Sequence, residues 1–376
     1  MTKLILSVSR NLLHHIINIP GWRTKRKIVV IESDDWGSIR MPSCEVLKKF
    51  QSCGYDLAKS DYNRLDTLES NEDLIRLFEV LYAFTDNLGN HPLITANMVV
   101  GNPDFSKIRE SDFSAYFYEP VKETLKRYPD RDQVLSLWKA GMTEGIFVPQ
   151  FHGREHVNTV RWMEALRERS LAMMFSFDNQ TTFSGNGDYN FMEVLDYNSP
   201  EDLNQMKESL LEGLDLFEEI FGYRSESFIP PCYTWSSELE ETLFKGGIKY
   251  IQGLVVQSIP TGKFGRYKSK YNFLGKTNSH GQYYLNRNCF FEPALSRSPA
   301  EVDKCLQRVS IAFRCKKPAV ISSHRINFIG ALDRNNRETN LLLFRQLLGG
   351  IIRKWPDVEF MSSVQLGDLI AKNGKK

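Results

Sequence analysis

Short runs of β-branched and apolar residues alternate with helix-patterned stretches along most of this chain, and that alternation narrows the fold more than any other feature. Strand-like runs fall at Ile28 to Ile31, Pro92 to Val100, Gly145 to Phe151, Leu171 to Phe177, 226–230, 248–256, Pro318 to Ser322 and from Val358. Helical periodicity fills most of the intervals, at about 43–51, 68–84, 112–127, 131–141, 158–169, 200–221, 236–245, 299–315 and 335–353. Repeated strand–helix units call for parallel strands with crossover helices. About seven or eight of them in one chain suggest a closed α/β barrel more than an open sheet. At 376 residues the chain suffices for one large barrel or two ordinary domains. No Pro/Gly/Ser linker divides it, so the expectation is one barrel over 26–376 behind a helical N-terminal extension, 1–25. A basic, aromatic-rich insertion at about 257–291 breaks the rhythm.

Composition excludes several classes. Lys plus Arg number 48 against 46 Asp plus Glu, so nothing global points to nucleic acid. Six cysteines without CxxC spacing do not make a disulfide scaffold and fit a reducing, cytoplasmic compartment. No run is long enough for a transmembrane span. The apolar run Leu4 to Leu6 is too short for a signal peptide. An amphipathic helix over 2–19 would lie on the fold or, as peripheral association, on a membrane surface.

The first strand, Ile28-Val29-Val30-Ile31, ends in Glu32-Ser33-Asp34-Asp35-Trp36-Gly37. Adjacent carboxylates repel unless a cation or a shared proton relieves them, and the C-terminal edge of a parallel sheet is where ligands bind. His152 and His156 follow the 145–151 strand, and their spacing of four puts two imidazoles on one side of a helical turn. His324 ends the strand beginning at Pro318. Three strand ends thus deliver ionisable groups to one rim. His14, His15, His91 and His280 have no such setting. Two neutral imidazoles and Asp35 make a three-ligand site with an open position, suited to zinc first, or to Co²⁺ or Fe²⁺. Asp34 beside it would take a proton from water and His324 would protonate a leaving group. These are the parts of amide or ester hydrolysis.

This set of motifs resembles the polysaccharide deacetylases of carbohydrate esterase family 4, over residues 28 to about 330. The resemblance implies a distorted (β/α)7-type barrel that removes acetyl groups from a glycan, with Asp34 as base, His324 as acid and Asp35, His152 and His156 on a divalent metal, zinc foremost. The chain departs from the family where Trp36 follows the Asp pair, where Gly153 follows the first His, and at Phe228-Ile229-Pro230-Pro231-Cys232-Tyr233, which lacks the third motif's Arg. Arg154 or Arg325 is expected to replace that Arg. The amide of Cys232 or Tyr233 is expected to donate to the oxyanion, and Trp36 is placed with the substrate-facing residues. The Cys232 thiol reads as a buried small group rather than a nucleophile.

Rival readings use the same residues. His152-x-x-Glu155-His156 fits the inverted zinc-protease motif with Glu155 activating water. A carbohydrate-binding barrel without turnover is a second alternative, credible because of the missing Arg. A glycosidase would leave the two-His spacing unexplained. The cations and rings between Gln257 and Phe291 either serve an acidic glycan or pack on the barrel.

Overall fold

The computed structural model describes residues 14–57, 60–184 and 191–374. Most of the extension expected to be helical therefore lies outside the described residues. Of it, 14–17 are helical, and the following segment lies against the barrel, with the Trp22 amide donating to the Leu274 carbonyl at 2.7 Å.

Thirteen strands occur among the described residues: β1 (Lys27–Trp36), β2 (Ile94–Val99), β3 (Gly101–Pro103), β4 (Tyr118–Pro120), β5 (Phe147–Gly153), β6 (Ser227–Phe228), β7 (Tyr250–Gly253), β8 (Val256–Pro260), β9 (Tyr267–Tyr271), β10 (Tyr283–Asn286), β11 (Cys289–Phe290), β12 (Ala319–His324) and β13 (Val358–Phe360). Eight of them run parallel in the order β10-β7-β6-β5-β2-β1-β12-β11, and β13 pairs the start of β1. The strands at the two ends of this path, β10 and β11, are separated in the chain by only Arg287 and Asn288. The Arg287 amide, just beyond β10, donates to Gly253 on β7, and the Asn288 amide donates to Val320 on β12. The sheet therefore curls until one distorted strand, 283–290, joins its edges. Counted so, the ring has seven positions, β1, β2, β5, β6, β7, β10/β11 and β12, which is the distorted (β/α)7-type barrel.

Helices cover the ring by the usual amphipathic logic. The helix Pro200–Phe221 begins with a capping box between Ser199 and Asp202 and ends at Gly222 in the left-handed conformation, φ 78°. It buries Leu203, Met206, Leu210, Leu214 and Phe217 at helical spacing. It can approach β5 closely because Gly213 has no Cβ; one there would stand 2.8 Å from the Phe151 ring. No helix of the described residues is long and apolar enough to cross a membrane.

Three expectations fail here. Of the helix read at about 112–127, only Val121–Arg127 is helical, and the strand Tyr118–Pro120 precedes it. Leu171 to Phe177, read as a strand, lies in the helix Leu171–Asp178. Ser170 caps it by accepting from the Met173 amide, and Leu-Ala-Met-Met lacks the branching that favours strands. The stretch read as an insertion divides in two. Only the antiparallel hairpin β8–β9 and the turns after it leave the barrel, whereas 283–290 closes it.

Candidate metal-dependent active site

Both carboxylates of the Asp pair face the same space, which a regular strand would forbid, since alternate side chains point to opposite faces. The register between β1 and β2 shifts between Ser33 and Trp36, and Asp35 takes φ 75°. This bulge with a left-handed residue re-aims the second carboxylate, and Asp tolerates that conformation better than most residues. The third residue is turned away. Trp36, expected to face the substrate, is fully buried, donates to the Ser33 hydroxyl at 3.0 Å and packs edge-on against Phe147.

Asp35 Oδ1 lies 3.5 Å from His152 Nε2 and 3.2 Å from His156 Nε2, and one ligand atom of each residue lies within 4.8 Å of the others. Ligands about 2.0–2.1 Å from a tetrahedral centre stand about 3.3 Å apart, so this spacing fits one small cation. His152 Nδ1 bonds the Ile229 carbonyl at 2.8 Å, which fixes the ring with Nε2 toward Asp35. His156 is buried and, despite Asp35, is pushed down to about 3, leaving a neutral imidazole free to ligate at neutral pH. Burial opposes charge on Asp35, but His156, Arg40 and His152 hold its carboxyl well below the usual range.

The two histidines do not share a helical turn. His152 is on β5, and the chain leaves the strand at Gly153, φ 139°, before His156. Glycine alone adopts that φ readily, which accounts for its presence where the family resemblance calls for Ser or Thr. Glu155 faces away, paired with Arg154 at 2.5 Å and accepting from Ser209 at 3.3 Å. The protease arrangement, with its Glu beside the metal, is therefore not formed.

Asp34 is held by a residue the sequence reading assigned elsewhere. Arg287 donates to both its oxygens at 2.7 and 2.6 Å, and its Nε donates to Glu32 at 2.6 Å. Asn97 on β2 adds a bond to Asp34 at 2.7 Å and pairs amide-to-amide with Gln252 on β7. Burial alone would raise this carboxyl, but Arg287 outweighs it and brings Asp34 down to about 2. Glu32, buried deeper, is pushed up despite the same guanidinium. Neither Arg154 nor Arg325 takes this place. Arg154 pairs with Glu155 and Glu212 outside the barrel mouth. Arg325, fully buried, is tied to Asp66 at 3.0 Å and Glu69 at 2.8 Å.

The β1–β12 register sets Asp34 beside His324, with His324 Nε2 3.7 Å from Asp34 Oδ2. His324 Nδ1 meets Glu292 at 2.6 Å, and Asn327 donates to the other Glu292 oxygen at 2.7 Å. Burial disfavours the imidazolium, yet Glu292 first, then Asp34 and Asp35, raise His324 to about 9. Tyr62 stands edge-on to the ring. Glu292 was missed because it follows a two-residue strand with no readable periodicity.

On the opposite wall, the turn Pro231–Tyr233 places Cys232 and Tyr233 at φ 54°, both left-handed. The Tyr233 amide donates to Pro230 at 3.0 Å, and its hydroxyl accepts from Arg287 at 3.2 Å. The Cys232 side chain opens to the cleft instead of packing in the core. Enclosure by the cleft walls, together with Glu193, Asp35 and Asp34, pushes its thiol up to about 12, so it is no thiolate nucleophile. The cleft these groups enclose measures about 250 Å³, and Arg40, Tyr62, Phe183 and Met192 also line it.

The fold and the site thus define a class: a distorted parallel barrel with a carboxylate and two imidazoles converging at the C-terminal ends of its strands. Polysaccharide deacetylases stand among the chain's structural neighbours. The peptidoglycan deacetylase PdaC from Bacillus subtilis is 9% identical, with 93% of this chain and 94% of that one covered and a TM-score of 0.38. A CE4 family pseudoenzyme from Bacillus anthracis is 11% identical, covering 91% and 66%, TM-score 0.36. A 4-alpha-glucanotransferase from Thermococcus litoralis is also 11% identical, covering 91% of this chain but only 40% of that chain, TM-score 0.42. No family model matches the chain, and no curated protein matches it. At this distance the chemistry rests on the residues themselves.

Proposed function

We propose that this chain is a metal-dependent hydrolase that removes acetyl groups from a carbohydrate. One observation carries the reading: Asp35, His152 and His156 close around a single point, with Asp34 and His324 side by side at its edge. Asp35, His152 and His156 would hold a divalent ion, zinc foremost, which supplies Lewis acidity toward the acyl oxygen and the attacking water.

The chain's own groups divide the rest of the work. Asp34, ionised and fixed by Arg287, accepts the proton of the attacking water. His324, protonated at neutral pH, delivers one to the departing sugar oxygen or nitrogen. With the Tyr233 amide already bonded to Pro230, the Cys232 amide is the backbone donor proposed for the developing oxyanion. Glu292 orients His324 and stabilises its charge, and the cleft walls exclude bulk water.

Arg287 also bears on the reading of a barrel without turnover, since the absence of a local Arg was the reason for it. An arginine does hold the proposed base, brought from 54 residues beyond Tyr233. The test is acetate release from a panel of N- and O-acetylated glycans, run with metal analysis of the purified chain. Release that chelation abolishes and added metal restores is the expected result; metal-independent release or none at all would remove the proposal.

A further inference from the structure

Resting on the deacetylase reading, we infer that the glycan is anionic, met by Arg40 inside the cleft and by the cationic β8–β9 hairpin at its rim.

Arg40 is the inner contact. Its side chain is nine-tenths buried and lines the cleft, yet it makes no short bond to any oxygen among the described residues. Its nearest carboxylates, Asp35 from Nη2 and Asp66 from Nε, both stand at 3.5 Å, Nε makes no hydrogen bond among the described residues, and Nη1 points at the Met192 thioether, a weak acceptor. Both carboxylates gain from its charge, yet each has a closer partner: Asp66 has the short bonds of Arg325, and Asp35 has His156 at 3.2 Å. A buried guanidinium left so loosely satisfied is costly. A carboxylate or phosphate on the sugar, close to the acylated position, would complete it with charge-assisted bonds.

The hairpin is the outer contact, and it is attached to the cleft wall. The amide of Trp235 donates to Ser258 on β8, and Gln257 donates to the Trp235 carbonyl at 3.0 Å, just beyond Cys232 and Tyr233. On its other side, the Tyr267 hydroxyl and the Gly265 amide bond Asp196, four residues past Met192 of the cleft. No acidic residue occurs between Gln257 and Phe291, although the whole chain carries a formal charge of only +2. Lys263, Arg266 and Lys268 are exposed and form no ion pair among the described residues. On the facing loop Asp196 is buried against Tyr267 and Arg161, and Glu193 forms no ion pair with them among the described residues. Tyr267 and Tyr271 stand among these cations with exposed faces, as sugar stacking requires.

The test separates charge preference from turnover. The full chain is titrated with unacylated oligomers of matched length: oligogalacturonate, a glycerol-phosphate oligomer and neutral cello-oligosaccharide. One anionic oligomer should bind at least about tenfold more tightly than the neutral one and weaken with salt, and which one it is decides between carboxylate and phosphate. Lys263→Gln, Arg266→Gln and Lys268→Gln together should cut the anionic-to-neutral ratio about tenfold, the worth of three exposed ion pairs of ordinary strength. Equal affinities, or a ratio the triple variant leaves alone, would overturn the inference. Arg40→Gln should raise KM for acetylated oligogalacturonate relative to acetylated cello-oligosaccharide at unchanged metal content. An equal rise for both, or loss of metal, would make Arg40 a support for Asp35 and remove the inner contact. If no acetylated glycan yields acetate, the deacetylase reading fails, while the titrations still decide the charge preference.

Discussion

Asp34 and Asp35 are neighbours in sequence, both buried, and differ in almost every other respect. Asp34 accepts three bonds of 2.7 Å or less from Arg287 and Asn97. Among the described residues, Asp35 has only the loose neighbours His156 at 3.2 Å, His152 at 3.5 Å and Arg40 at 3.5 Å. The chain completes one carboxylate and leaves the other incomplete. His156, Arg40 and His152 favour the charge of Asp35 without a short bond, and the contrast supports the proposed division of work, with Asp34 as the fixed base and Asp35 as a ligand of the cation.

The sharpest way to break this comparison is Asp34→Asn, which should lower kcat by about 10²–10⁴-fold with bound metal unchanged, the range for losing a general base. Asp35→Ala or His156→Ala should instead abolish metal binding by elemental analysis; metal retained in both would refute the ligand set. In the metal-free protein the stabilities should diverge. Arg287→Met strands two buried carboxylates and should cost about 3–5 kcal/mol in denaturant unfolding, whereas Asp35→Asn should cost less, because it loses only the looser pairings with His156, Arg40 and His152.

The pH profile sharpens the contrast further. Asp34, lowered to about 2, stays ionised at working pH, and the stability its pair with Arg287 provides is lost only as pH falls from about 4 toward 2. His324 is raised from 6.5 to about 9, so its charged pairing is complete below 6.5 and disappears as pH rises through 9. Activity should show an alkaline limb near 9, and Glu292→Gln should move that limb down by about one unit or more. A limb that stays in place would remove His324 as the acid. The smallest effect belongs to Glu155→Gln: activity within about twofold, since Glu155 serves Arg154 outside the mouth.

Legibility in the sequence followed element length. The residues the structure gathers at one point, Asp34, Asp35, His152, His156 and His324, close or directly follow strands of six residues or more, where apolar runs are readable and strand ends can be placed. Arg287 and Glu292 flank a strand of two residues, too short for any period, in a stretch whose aromatic and basic character read as an excursion. Trp36 misled because a strand's simple alternation ignores the bulge that brings Asp34 and Asp35 together and turns the next side chain into the core. The spacing of His152 and His156 pointed to a helix, but proximity came from a glycine turn after a strand, a geometry the spacing alone does not distinguish.

Arg287 occupies the seam at which the barrel's first-to-last circuit shuts, and the same guanidinium primes Asp34. Shutting the ring and arming the proposed base would therefore be a single event. A folding species with an open seam would carry every metal ligand yet be chemically silent, so recovery of turnover during refolding should report closure of the ring rather than acquisition of the ion.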